Sequence, residues 1–229
     1  FALFQTILSK LNLLSAFVID DSISKDDYVP LNLSVDNSDL EHVNVSSSED
    51  LGRFVNNEIV RQGGKIAYGG YMETRGIYLR SSYFNQLENP ADERNIHLGM
   101  DIWIDAGTNV LAALDGEVHS FHNNLNHGDY GPTIIMKHQF DALTFYTLYG
   151  HLSIESLAGL AVGKRFKQGD VIAQLGTAEV NGDYPPHLHF QIILDMEDYF
   201  GDFPGVSSLN TLEFYKKNCP DPNLLLGLG

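Results

Sequence analysis

The chain has 229 residues, 43% of them hydrophobic, enough for one sizeable core, so one main domain with extensions is expected. A net charge of −16 and a pI near 4.7 repel phosphate backbones and anionic lipid, which argues against nucleic-acid binding and membrane-surface docking. The single cysteine, Cys219, excludes an internal disulfide and a thiolate metal cage, so any metal would be held by His, Asp or Glu.

In chain order, "FALFQTILSKLNLLSAFVI" comes first. Phe4, Ile7, Leu8, Leu11 and Leu14 fall at helical spacing, while Gln5, Thr6, Ser9, Lys10 and Asn12 interrupt the apolar run. An amphipathic helix packed on the domain is expected. The segment is too interrupted to span a bilayer and lacks the basic start and small-residue cleavage site of a signal peptide. The first residue is not Met, which leaves open a removed leader or a cut from a longer polypeptide, and with it a cytoplasmic or a bacterial cell-envelope location. Residues 20–50 are polar and acidic without a period and are expected to be an irregular connection, with Asp20, Asp21, Asp26 and Asp27 solvated. Ser47 followed by Asp50 reads as a helix start; Leu51, Phe54, Val55 and Ile59 supply its apolar face, and Gly63 and Gly64 its stop.

After residue 64 the period changes. "KIAYGGYM", "GIYLR", "DIWI", "NVLAAL", "GEVHSF", "TIIMKH", "LTFYTLYGHL", "DVIAQLG" and "HLHFQIIL" read as strands cut by Gly and Asp. No crossover helix separates them, so a mainly antiparallel β-sheet core is expected, with one closing helix over residues 207–218. The boundaries expected are 1–64 for a helical and irregular extension, 65–200 for the β-domain, and 201–229 for a carboxy-terminal helix and tail.

Nine histidines are the informative minority. His187 and His189 in "PPHLHFQI" lie two apart, so both point to one side of a strand. His97 and Asp101 in "HLGMD" form a second pair, although chance alone supplies about 0.75 such matches at this composition. Solvated turn residues are the favoured reading for His119, His122 and His127, a surface or structural role for His138, and core packing for Trp103.

Order and spacing carry more weight than any single pattern. "HLGMDIWIDAGTNV", "YGHLS", "VGKRFKQGDVIAQLG" and "PPHLHFQI" follow one another between His97 and Ile192. In this stretch the chain closely resembles the lysostaphin-type (LytM-like) zinc metalloendopeptidases, which cut peptide cross-links of bacterial peptidoglycan. The resemblance implies that family's β-fold and a zinc ion held by His97, Asp101 and His189. It further implies two unligated catalytic histidines, His151 and His187. The chemistry is consistent with this assignment: zinc makes water acidic enough to attack near pH ~7, and a free imidazole can take a proton and return it to the leaving amine. His151 is the expected base and His187 the oxyanion partner, with exchange of the two roles open. Tyr130 resembles a groove tyrosine, and Tyr184 stands beside the site next to Pro185 and Pro186; both are expected to touch substrate.

Departures from the family pattern lie at the cleft walls. "GTAEVNGDYPPH" lacks the usual Ser- and Thr-rich turns, and "HNNLNHGDYGPTII" is a longer insert. The peptide bond cleaved is thus left open, peptidoglycan stem or cross-bridge peptides being the first expectation, with small residues at the cut bond. No wall-binding domain is visible, and the oligomeric state is not legible. Gly70, Tyr71, Glu73, Arg75, Tyr78 and the closing "PDPNLLLG" are similar to segments flanking this domain in bacterial polypeptides that carry kinase-like and aminotransferase domains. That similarity implies the alternative, a cytoplasmic module acting on another small peptide, or a non-catalytic one.

Overall fold

The computed structural model describes residues 15–81, 84, 89–140 and 143–229; Phe4 to Leu14, where an amphipathic helix is expected from the sequence, lie outside the described residues. Strand β1 (Tyr28–Pro30) precedes helix α1 (Ser48–Gln62). Ser47 Oγ accepts the Asp50 N–H at 3.2 Å, satisfying a free donor of the first turn, and Gly63 ends the helix at φ 72°. Leu51, Val55 and Ile59 are its buried residues. Both ends match the sequence expectation.

The sheet strands follow as β2 (Ile66–Gly69), β3 (Ile96–His97), β4 (Met100–Trp103), β5 (Asn109–Leu111), β6 (Gly116–Asn124), β7 (Gly131–Phe140) and β8 (Leu143–Gly150). After them come β9 (Arg165–Phe166), β10 (Val171–Gln174), β11 (His187–Ile193) and β12 (Val206–Ser207), then short helices α2 (Leu212–Asn218) and α3 (Asn223–Leu226). An eight-stranded sheet runs in the order β1-β2-β4-β11-β8-β7-β6-β9. Every neighbouring pair in it is antiparallel except β1 and β2. Pairs β5/β10 and β3/β12 are separate two-stranded sheets. The protein is therefore mainly β, as its period-two runs require.

Strand β11 shows how this sheet positions chemistry. All seven of its residues are buried, so both of its faces are covered. Leu188, Phe190 and Ile192 join Ile102, Ile134 and Tyr149 in the main core, each burial contributing roughly 1.5–3 kcal/mol. Alternation sends His187, His189 and Gln191 to the opposite face. That second face is roofed by the amino-terminal segment: Leu31, Leu33, Leu51, Val55 and Ile59 pack in one cluster with Trp103 and Tyr184.

Three expectations differ from what is observed. "GIYLR" forms a 3-10 turn (Gly76–Arg80) rather than a strand, with Ile77 and Tyr78 buried. The closing helix begins only at Leu212, because residues 206–207 pair with β3 first. His119 and His122 belong to β6 and not to a turn, with only His127 in the loop.

His138 is structural. It is fully buried between β6 and β8, with Nδ1 bonded to the Asp115 carbonyl at 2.9 Å and Nε2 2.7 Å from Thr147 Oγ1. Burial pushes its pKa down to about 4, against the raising effect of Asp115. A histidine kept neutral when folded binds fewer protons than when unfolded between pH 4 and 6.5. Its stabilisation is complete above the unfolded value and is lost as pH falls toward the folded one. At pH 5 the loss is about 2 kcal/mol, so His138 alone should contribute a drop in thermal unfolding of about 4–8 °C between pH 7 and 5. His138→Asn should flatten that slope in melts recorded across this range; an unchanged slope contradicts the assignment.

Candidate metal centre and its histidine pair

One row across the sheet holds the site. Gly69 of β2 pairs with Asp101 of β4, Asp101 with His189 of β11, and His189 with Gly150 at the end of β8. His187 pairs with Trp103 one step along, His97 enters from β3, and His151 follows Gly150 with a left-handed φ of 63°. The structure brings together all five polar residues singled out in the sequence, none more than 5% exposed.

Asp101 Oδ1 lies 3.2 Å from His97 Nε2 and 3.3 Å from His189 Nδ1, and those two nitrogens are 2.9 Å apart. Each imidazole has its remote nitrogen engaged. His97 Nδ1 meets the Gly70 carbonyl at 3.0 Å, and His189 Nε2 meets Gln191 Oε1 at 2.9 Å. Gln191 is fixed in that orientation because its Nε2 donates to the Pro204 carbonyl and to Cys219 Sγ. The remote nitrogens therefore carry the protons, and the inner nitrogens present lone pairs.

Burial first, and Arg75 second, push His97 down to about 4, so it is neutral near pH 7. Burial alone would raise the Asp101 carboxyl, but His97 and the Arg75 guanidinium outweigh it and hold it well below the usual range. Two lone pairs and an ionised oxygen thus converge, and Asp101 Oδ1 is buried without a hydrogen-bond partner. An arrangement that repels itself when empty fits a cation, and two imidazoles with one carboxylate suit a divalent transition metal.

Arg75, only 4% exposed, was not picked out from the sequence as part of the site. Its Nη1 donates to Asp101 Oδ2 at 2.5 Å and its Nε to Glu73 Oε2 at 2.6 Å. One carboxylate oxygen is thereby occupied, leaving Oδ1 to face the imidazoles. Gly99 completes the fit, since a Cβ there would stand 2.6 Å from the His189 ring.

The second pair of imidazoles adjoins the first. His151 Nδ1 meets the Asn181 carbonyl at 2.7 Å and His187 Nδ1 the Pro185 carbonyl at 2.8 Å, so neither Nε2 is tied up in a hydrogen bond, although His187 Nε2 lies 3.7 Å from Asp101 Oδ1. Their rings are 4.2 Å apart. Burial lowers both pKa values, His187 to about 4, and the neighbouring His187 adds to the depression of His151. Trp103 stacks on His187 at 4.0 Å and 18°, so it is buried but forms part of the cavity wall. Tyr130 and Tyr184 line the same cavity. Both hydroxyls are engaged, Tyr130 with the Phe203 carbonyl at 3.2 Å and Tyr184 with Gly128 at 2.9 Å.

Two imidazoles and a carboxylate on one sheet face, with two further imidazoles beside them, form a group that could hold a metal ion. The family profile of peptidase family M23 matches residues 95–199. Among solved structures it is similar to the catalytic domain of the antimicrobial peptidase lysostaphin from Staphylococcus simulans, at 22% identity and a TM-score of 0.41 over 72% of this chain and 97% of that one. It is also similar to the catalytic domain of the prophage-encoded EnpA from Enterococcus faecalis, at 20% identity and a TM-score of 0.36 over 44% and 69%. A chain of the SpoIIIAH and SpoIIQ complex matches at 22% identity and a TM-score of 0.41 over 66% and 92%. No curated protein matches the sequence. Among the described residues no helix is long and apolar enough to cross a membrane.

Proposed function

We propose that this domain is a zinc-dependent endopeptidase in which His97, Asp101 and His189 hold the metal and His151 and His187 handle protons. The observation that carries the reading is the convergence of His97 Nε2, His189 Nδ1 and Asp101 Oδ1, which makes no hydrogen bond, with two further imidazole nitrogens alongside, that of His187 3.7 Å from Asp101 Oδ1. Bound zinc would polarise a scissile carbonyl and make water acidic enough to attack near neutral pH. The rest falls to the chain itself. Both Nε2 atoms of the His151–His187 pair are proton acceptors, and rings 4.2 Å apart disfavour a second positive charge. The pair therefore takes one proton from water, His151 being the assigned base, and delivers it to the leaving amine. Once charged, the pair can also donate to the developing oxyanion, the role assigned to His187.

Peptidoglycan stem or cross-bridge peptides are the first substrate of this reading, and another short peptide the second. The test is to incubate zinc-loaded protein with purified sacculi and with short Gly- and Ala-containing peptides, reading new amino termini by mass spectrometry. Zinc-dependent cleavage that a chelator stops is the expected result. No cleavage of either by protein with zinc bound would turn the assignment to a non-catalytic binding module.

A further inference from the structure

The segment leading into α1, expected to be an irregular connection, forms one wall of the cavity over the site. Leu33, Val35, Leu40, Val43 and Val45 line the same cavity as His97, Asp101, His151, His187 and His189. Backbone bonds fix this wall in place. Leu31 N–H donates to the Tyr68 carbonyl at 2.8 Å and Val35 N–H to the Thr74 carbonyl at 2.9 Å, so residues 31–35 run along the sheet edge beyond β1. Between them Leu33 N–H donates to Glu73 Oε1 at 2.9 Å. Glu73, which is partly exposed, holds Arg75, and Arg75 holds Asp101, so the wall and the carboxylate of the site share one relay.

The cavity measures about 330 Å³, at the small end of the ~300–1,000 Å³ typical of small-molecule pockets. The five polar residues lie at the floor of this cavity, the most exposed being His151 at 5%. Aliphatic side chains that meet cavity water gain by covering an apolar group, at roughly 25 cal/mol per Å².

We infer that residues 33–45, together with Ile77, build an apolar subsite that restricts the site to short peptides with a large aliphatic or aromatic residue beside the reacting bond. This rests on the hydrolase reading for the reaction but not for the binding. It departs from the Gly or Ala preference expected from Tyr184, Pro185 and Pro186 alone.

Binding is measured by calorimetry on the His151→Ala protein, with and without zinc, using tetra-alanine and the same peptide with one Leu or Phe placed at each position in turn. The expected result is about 10- to 100-fold tighter binding for the best Leu or Phe peptide. Val43→Asp should bring it back to the tetra-alanine level while zinc content and thermal unfolding stay as before. Should that variant unfold, Val43→Thr, nearly isosteric, should still reduce the preference. Equal affinity across the peptides, a preference that survives both substitutions, or tighter binding of sacculi than of any short peptide overturns the inference. Because the peptides are also titrated without metal, failure to load zinc would sink the hydrolase reading while the apolar preference is still scored.

Discussion

Replacing Asp101 with Asn should reduce bound zinc from the expected one ion per chain to a trace, at a competing chelator concentration that leaves the wild-type site filled. The substitution keeps the shape of the side chain but removes the ionised Oδ1, which has no other partner among the buried groups around it. Two imidazoles then remain, too few for a catalytic zinc. Ala at this position is the poorer test, since it strips the buried Arg75 guanidinium of one of its two carboxylates and costs stability for that reason. His97→Ala and His189→Ala should lose metal in the same assay. A graded result is expected one shell out. Arg75→Met and Gln191→Leu leave all three donors in place but free the rotation of Asp101 and His189, so affinity should fall about 10- to 100-fold. Zinc retained at full occupancy by Asp101→Asn would refute the ligand set.

Strand spacing alone made one pair legible; the other three candidate residues were singled out by the family resemblance, and the sheet brings all five together. His187 and His189 sit two apart on β11, and His97 and Asp101 bracket a turn that Gly99 allows. Gln191 carried the same signal, one more step of two along the strand, and period two alone would have placed it beside His189. Arg75 carried none: its partner is 26 residues away, and only the sheet brings them together. The amino-terminal wall was hidden for a different reason. Acidic and Asn residues outnumber Leu31, Leu33, Leu40, Val43 and Val45 between residues 20 and 50, so no period emerges and the apolar minority reads as noise. "GIYLR" failed the opposite way. Its apolar density is that of a strand, but Ile77 and Tyr78 face the cavity from a single tight turn, and a turn of five residues is too short to show a period.

Losing either free imidazole should leave zinc in place and abolish most turnover, by about 10²- to 10⁴-fold. His151→Ala and His187→Ala remove groups whose Nε2 atoms make no hydrogen bond in the fold and are not in the proposed ligand set, so the three donors stay in place, though His187 Nε2 lies 3.7 Å from Asp101 Oδ1. His151 needs care. At φ 63° it occupies a backbone region that costs most residue types some strain, and Asn tolerates it best, so His151→Asn separates loss of the base from loss of the loop geometry. His187→Ala exposes a face of Trp103 that the imidazole now covers, and thermal unfolding should report a modest loss alongside the kinetic one. The double variant is the decisive measurement. If the two rings act as one proton-carrying pair, as their 4.2 Å separation implies, removing both costs little more than removing one. Independent roles would instead multiply the two losses. Turnover that survives in both single variants, with one zinc per chain, would refute the assignment of proton transfer to this pair.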